Sequence, residues 1–247
     1  MRKRKLLAMS QKKHKVITQG DEPLIVFTID DAYLTDYTIA FPLFEQYGIK
    51  GTSFAVPSWV GTSRYCDWSH LREMSSSDFW DVQCHTYTHR LMGELSEAEL
   101  RLEFEDTTSA FEANGLPKPK HLAYPYGSHS QLSLDVAKEY RLTQRGTGRL
   151  KSGGNQRQQI KLNPYHFIRA TSVDMETEEQ FSEIKKAIQW GVDTGKVMVL
   201  YCHQVKNVVN GYQYNILEYY LIELVKFIAS LGVRTLTISE LYDELLG

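Results

Sequence analysis

The segment Cys84-His85-Thr86-Tyr87-Thr88-His89 sets two imidazoles four residues apart. If the segment is helical, that spacing puts both rings on one face, where they can share a cation. With 8 His in 247 residues, the spacing also arises by chance or from hydrogen-bonded core histidines, so it is informative only in company. The company is a pair of acids, Asp30-Asp31, directly behind the apolar, β-branched run Pro23 to Ile29. Adjacent carboxylates in such a place are costly to bury without a compensating positive charge. Two readings stand: a helix N-cap with a first-turn acid, or one carboxylate ligating a cation while its neighbour acts as a base on water. Two imidazoles and a carboxylate leave open positions on a tetrahedral or octahedral ion, the arrangement of a catalytic rather than a structural site. His203, behind the apolar run Val197 to Tyr201, and the turn Tyr124-Pro125-Tyr126-Gly127 carry little when taken singly.

The elements that must position these groups alternate along the chain. Short apolar runs at Pro23–Ile29, Ile49–Val56, Phe79–Gln83, Lys120–Tyr124, Tyr165–Val173, Val197–Tyr201 and Val233–Thr237 read as strands, most of them buried on both faces. Between them, helical spacing marks residues 35–48, Ser96–Asn114, 130–140, Glu178–Thr194, Ile216–Leu231 and Ile238–Leu246. Ser96 with Glu99 predicts a capping box, and Gly48 a helix stop. Strand–helix alternation argues for an α/β fold with a parallel sheet, and patterning alone leaves an open sheet and a closed barrel equally available. In both, active sites collect behind the strands, which is where all four polar clusters fall.

Composition narrows the class further. A net charge of −2 gives no general attraction to nucleic acid or to anionic membranes. The exception is the first fifteen residues, with seven Lys/Arg and no acid. They read as a basic, solvated tail over residues 1–19, capable at most of weak contact with a membrane surface. Its apolar stretch, Leu6 to Met9, is far shorter than a signal-peptide core of about 7–15 residues, so the cytoplasm is slightly favoured. No run approaches the ~20 apolar residues of a membrane span. Cys66, Cys84 and Cys202 are an odd number at wide spacing and read as buried thiols, Cys84 included.

Taken in order, the polar clusters resemble the signatures of the polysaccharide deacetylase family, the NodB-homology domain of the family 4 carbohydrate esterases. The family's Thr-Phe-Asp-Asp-Gly is met by Thr28-Ile29-Asp30-Asp31-Ala32, and its His-Ser/Thr-x-x-His in full by His85 to His89. Its Arg-x-Pro-Tyr/Phe-Gly is met by Ala123-Tyr124-Pro125-Tyr126-Gly127, and its strand-end His by Tyr201-Cys202-His203. The resemblance implies a distorted (β/α) barrel of about seven strands in a single domain, residues 20–247. It implies that Asp31, His85 and His89 hold a divalent ion, Zn2+ first, with Co2+, Ni2+ or Fe2+ as alternatives. It implies Asp30 as general base, the Tyr126 backbone N–H as oxyanion donor and His203 as general acid, with Tyr124, Pro125 and Tyr201 against the substrate. Trp80 is a further candidate for the acetyl pocket. The implied substrate is an N-acetylated oligo- or polysaccharide, deacetylated with release of acetate.

Two departures stand out. Ala123 replaces the arginine that orients the base, and Arg169 is expected to supply that cation beside Asp30. The family's acidic residue that tunes the catalytic His is not recognisable, and Asp174 is the nearest candidate beside His203. Two other functions remain open at this level: the same site acting on a cyclic ureide or an O-acetyl sugar, and a non-catalytic glycan-binding relative.

Overall fold

Leu24–Asp31 (β1) is buried along its whole length, as its apolar run requires. The computed structural model describes residues 22–148, 167–209, 211 and 213–245. The expected basic tail and the start of the domain lie outside them.

The remaining strands are Gly51–Ala55 (β2), Trp80–Cys84 (β3), His121–Ala123 (β4), Thr143–Gly148 (β5), Phe167–Ser172 (β6), Val197–Cys202 (β7), Gln204–Lys206 (β8), Asn215–Leu217 (β9) and Arg234–Leu236 (β10). The helices are Phe41–Tyr47 (α1), Trp68–Ser75 (α2), Glu97–Ala113 (α3), Gln131–Tyr140 (α4), Glu178–Asp193 (α5), Glu218–Ser230 (α6) and Ile238–Leu245 (α7). β1 through β7 pair in sequence order, all parallel, and β7 pairs back onto β1 from Leu24 to Ile29. The sheet is therefore a closed seven-stranded parallel barrel surrounded by helices, and closure leaves no edge along most of β1. β10 fills the lower part of the β1–β2 seam, pairing with Leu24–Val26, while β2 pairs with Phe27–Asp31 above it. β8 and β9 form a separate small parallel pair next to β7.

Alternation along the strands divides the core in two. Leu24, Val26, Phe54, Ala123, Ile168, Ala170, Val197 and Val199 cluster inside the barrel. Ile25, Phe27, Ile29, Val82, Leu122 and Leu200 face outward into the apolar sides of the helices. Ser96 and Glu99 make the expected capping box at the start of α3. Gly48, with φ of 64°, ends α1 in the left-handed conformation that a residue with Cβ resists. The helix expected over 35–48 divides into a wider π-type turn, Asp36–Ala40, followed by α1. Several elements depart from the sequence reading, the unexpected strand β8 among them. β5 was not expected, because its polar, glycine-containing sequence Thr-Gln-Arg-Gly-Thr-Gly has low strand propensity. α2 was not expected, and the helix expected from Ile216 starts at Glu218, its first residues belonging to β9.

Candidate active site

Every motif residue sits at the C-terminal ends of the barrel strands or in the loops that follow. Asp30 and Asp31 end β1, both buried. His85 follows β3 and its backbone N–H donates to the Ala55 carbonyl at 2.8 Å, continuing the β2–β3 ladder for one residue. Beyond it the chain is a loop, so the helical face on which the two rings could have met is not formed. Thr86 and His89 both have positive φ, 65° and 62°, and the histidines are brought together by that turn rather than by helical periodicity. Buried Glu103 of α3 holds the loop: its carboxylate accepts the N–H groups of Tyr87 (2.8 Å) and Thr88 (2.9 Å) and the Thr88 hydroxyl.

Among the described residues, five non-glycine residues have positive φ: Asp31 (78°), Ala32 (55°), Thr86, His89 and Tyr126 (58°). All five belong to the motif clusters. Each such conformation costs on the order of 1–3 kcal/mol, and strain of this kind concentrates where a site over-determines the backbone. Ala32, where the family pattern has glycine, adopts the left-handed conformation at about 1–2 kcal/mol relative to glycine.

Asp31 Oδ1 lies 3.3 Å from His89 Nε2 and 3.7 Å from His85 Nε2. These are ion-pair distances, and that buried oxygen lacks a well-formed hydrogen bond. His85 Nδ1 sits 2.7 Å from the Ala123 carbonyl, which can only accept, so Nδ1 carries the proton and the Nε2 lone pair faces Asp31. Burial pushes His85 down to about 4, against the pull of Asp30, so the ring is neutral near pH 7. Burial acts to raise Asp31, yet the bond from His89 and the charges of His85, His89 and His203 hold it below the usual carboxylate value. One carboxylate and two imidazoles, with donor atoms within 4.8 Å of one another and a cavity on the open side, fit a divalent ion.

Asp30 Oδ2 accepts a 2.5 Å bond from Arg145 Nη2. This corrects the expectation for Arg169. Strand alternation sets Arg169 on the face opposite Ile168 and Ala170, which fill the barrel interior, and its side chain is exposed at the cavity rim. Arg145 instead points inward from β5, 99% buried, with its guanidinium over the rings of Tyr201 (4.8 Å) and Phe54 (5.4 Å). Its register partner on β4 is Ala123, the residue that stands where the family pattern has arginine. The cation is thus supplied from the neighbouring strand at the same level of the barrel.

On the other side, His203 follows β7. Its Nδ1 lies 2.7 Å from Asp174 Oδ2, and its backbone N–H donates to Asp174 Oδ1 at 2.9 Å. Ser172 Oγ donates to the same carboxylate at 2.9 Å. Burial works against the imidazolium, but the Asp174 bond and the charges of Asp174, Asp30 and Asp31 prevail and raise His203 to about 9. The sequence candidate for assisting His203 is therefore in direct contact with it.

The cavity holding these groups has a volume of about 700 Å3 and is walled by Trp59, Tyr65, Tyr124, Tyr126 and Tyr201 among others. A broader depression of about 810 Å3 at the opposite end of the barrel lacks such a cluster among the described residues, and both of its cations are paired, Lys50 with Glu240 and Arg234 with Glu244. Two expectations for the cavity wall fail. Pro125 is buried under the Tyr124–Gly127 turn and does not line it. Trp80 is in the outer core, its Nε1 donating to Ser53 Oγ and its ring packed against Phe41 and Phe44. Trp59, whose ring lies 4.7 Å from that of His89, occupies the wall instead. The turn after β4 leaves no room for a larger residue at Gly127, where a Cβ would meet Thr147 Oγ1 at 2.4 Å.

Residues 18–144 match the family model described as polysaccharide deacetylase. Over 127 residues the chain is 24% identical to the putative polysaccharide deacetylase YxkH of Bacillus subtilis, covering 50% of this chain and 45% of that protein. Over 123 residues it is 27% identical to a poly-beta-1,6-N-acetyl-D-glucosamine N-deacetylase of Staphylococcus aureus, covering 44% and 42%. The match thus spans less than half the length of these curated relatives. The fold is similar to a CE4 family pseudoenzyme from Bacillus anthracis, with a TM-score of 0.61, 17% identity and coverage of 90% of this chain and 66% of that one. It is likewise similar to the Xyl-CE4 domain of a multidomain xylanase from the hindgut metagenome of Trinervitermes trinervoides (TM-score 0.58, 19% identity, 91% of both chains). The chain belongs to the polysaccharide deacetylase family and has its (β/α)-barrel fold.

Proposed function

We propose that this chain is a divalent-metal-dependent hydrolase that removes N-acetyl groups from an amino-sugar glycan and releases acetate. The observation that carries the proposal is the pairing of a buried base and a half-buried acid around the Asp31–His85–His89 cluster: Asp30 held by Arg145, and His203 held by Asp174. A pseudoenzyme relative makes this pairing the relevant test, since the fold alone does not require it.

Asp31, His85 and His89 are the ligands. An ion bound there, Zn2+ by donor type and with Co2+, Ni2+ or Fe2+ as alternatives, supplies Lewis acidity to the acetamide carbonyl and to the attacking water. Arg145 fixes Asp30 through Oδ2, leaving Oδ1, which has no hydrogen-bond partner among the described residues, to accept the water's proton. Tyr126, at the cavity wall in its left-handed turn, is assigned the backbone N–H that meets the developing oxyanion. His203 carries its second proton on Nε2, because Nδ1 is committed to Asp174, and delivers it to the departing amine. Tyr201 and Tyr124 flank the acetyl group, and the Tyr124 hydroxyl is already spent on Ser133 and Gln144, so it contributes ring surface rather than a bond.

The test is acetate release from a panel of N-acetylated oligosaccharides, O-acetylated sugars and cyclic ureides, using chelated protein before and after Zn2+ or Co2+ addition. The proposal expects metal-dependent release from the N-acetylated sugars and none after Asp30→Asn. Turnover restricted to the other two classes, or none with any substrate, would overturn it.

A further inference from the structure

Two arginines on the cavity wall have no part in the reaction just proposed. Arg64, in the loop between β2 and α2, and Arg169, on β6, both line the cavity and are exposed. Arg64 follows β2, which lies between the strands that carry Asp31 (β1) and the histidines (β3), and Arg169 is on β6, across the ring. Exposed arginines elsewhere in the described residues have acceptors: Arg90 pairs with Glu99, Arg101 with Glu97 and Glu139, Arg234 with Glu244, and Arg72 donates to the Asn114 carbonyl. Arg64 has no carboxylate partner among the described residues. It lies over the Tyr33 ring at 5.7 Å and donates to Gln204 Oε1 at 3.3 Å, contacts that hold it on the wall without neutralising it. Arg169 has no hydrogen-bond, ion-pair or ring partner among the described residues, and β5 presents glycines, Gly146 and Gly148, beside it.

The cavity therefore carries two unneutralised guanidinium groups at its rim. Of the carboxylates at its floor, Asp30 is matched by Arg145, and Asp31 would be matched by the cation it holds with His85 and His89. A guanidinium presents a planar fork of N–H donors that suits the paired oxygens of a carboxylate, sulfate or phosphate. Near Arg64, the half-buried rings of Tyr65 and Trp59 adjoin at 5.0 Å, with buried Tyr33 stacked on Tyr65 at 4.8 Å, and the Tyr65–Trp59 pair offers a surface on which a sugar face can lie with an acidic substituent directed at the guanidinium.

We propose that Arg64 and Arg169 form an oxyanion-recognising rim, and that the substrate is an acidic glycan whose N-acetylated sugar is flanked by sugars bearing a carboxylate or sulfate. This rests on the function proposed above and specifies its substrate class. An exposed ion pair to each guanidinium, the two taken together, gives about a tenfold preference over a neutral glycan of the same length. The preference is carried by exposed charges, so it weakens as salt rises.

The experiment uses the full-length, Zn2+-loaded chain carrying Asp30→Asn, so that binding is read without turnover. Three N-acetylated tetrasaccharides are titrated by calorimetry: a neutral one, one alternating with uronic acid, and one bearing sulfate esters. The acidic ligands are expected to bind at least about tenfold tighter than the neutral one at 50 mM salt, with most of the difference gone at 500 mM. Arg64→Ala and Arg169→Ala should each remove much of the preference, and the Lys replacements should keep part of it, with unchanged circular dichroism throughout. The carboxylate and sulfate arms identify which oxyanion is read. Equal affinity for neutral and acidic ligands, absence of binding, or a preference that survives the double alanine variant overturns the rim. Acetate release by the Asp30 protein separates the two claims: neutral and acidic glycans turned over equally would sink the rim and keep the deacetylase. Acidic binding without any turnover would do the reverse.

Discussion

Asp174→Asn separates the charge of the His203 partner from its shape. Asn keeps an oxygen that can accept from Nδ1, while removing the negative charge 2.7 Å from the ring. In the wild type, that charge and bond, with Asp30 and Asp31, overcome burial and raise His203 to about 9 from the usual 6.5. The difference corresponds to about 3 kcal/mol in favour of the imidazolium. Without Asp174, burial is opposed only by the more distant acids, and the ring returns to about 6.5 or below. A general acid must be protonated, so the alkaline limb of kcat/KM moves from near 9 to near or below 6.5. At pH 8 the protonated fraction falls about thirtyfold, whereas at pH 6 it changes less than about twofold. Any loss of ring orientation is independent of pH, so the ratio of the two losses isolates the charge.

The same pair affects stability. His203 has a raised pKa in the folded state, so its contribution is complete below about 6.5 and is lost as pH rises through about 9. The unfolding free-energy gap between wild type and variant should therefore narrow by at most about 3 kcal/mol between pH 6 and pH 10. Acetate-release profiles from pH 5 to 10, with an NMR titration of the His203 ring, measure both effects. An alkaline limb unmoved by Asp174→Asn would refute this account of His203.

Two further outcomes follow from the positioning groups. Arg145→Met should lower kcat/KM by about 10–150-fold, the range of one hydrogen bond to a charged group, with little change in metal content. Because Arg145 and Ala123 are register partners, Ala123→Arg added to that variant should recover part of the loss, and no recovery would argue against a shared position for the two guanidiniums. Glu103→Gln weakens the clamp on Tyr87 and Thr88 and should reduce Co2+ affinity by about 10–100-fold in a spectroscopic titration, with the fold unchanged by circular dichroism. Unaltered affinity would show that the His85–His89 loop holds its shape without Glu103.

Where the sequence reading succeeded and where it missed have a common physical cause. Strands buried on both faces, such as β1 and β7, are continuous apolar runs and are readable as such, and the Asp and His residues behind them inherit their placement. β5 has no such run. Its Thr-Gln-Arg-Gly-Thr-Gly sequence is held by pairing on both sides and by Arg145, so the strand and the guanidinium on Asp30 were missed together. The available signal was the absent arginine at Ala123, which requires a substitute from an adjacent strand at the same level; Arg169 is on the wrong face of the next one. The His85–His89 spacing pointed to two residues that the structure does bring together, but by a different geometry. A loop with two left-handed residues, tied down by an acid from α3, has no periodicity to read. Trp80 was misplaced for a related reason, since patterning does not say which face of β3 meets the helices.

Acetate release is proposed to depend on an ion held by Asp31, His85 and His89. Zn2+ added in steps to metal-free protein, with bound metal per chain and acetate release measured in the same samples, reads that dependence for wild type, His85→Ala and His89→Ala. Both quantities should rise together in the wild type and level off at one ion per chain, and each substitution should abolish them together. Full acetate release from metal-free protein, or wild-type metal binding in either variant, would contradict the proposal.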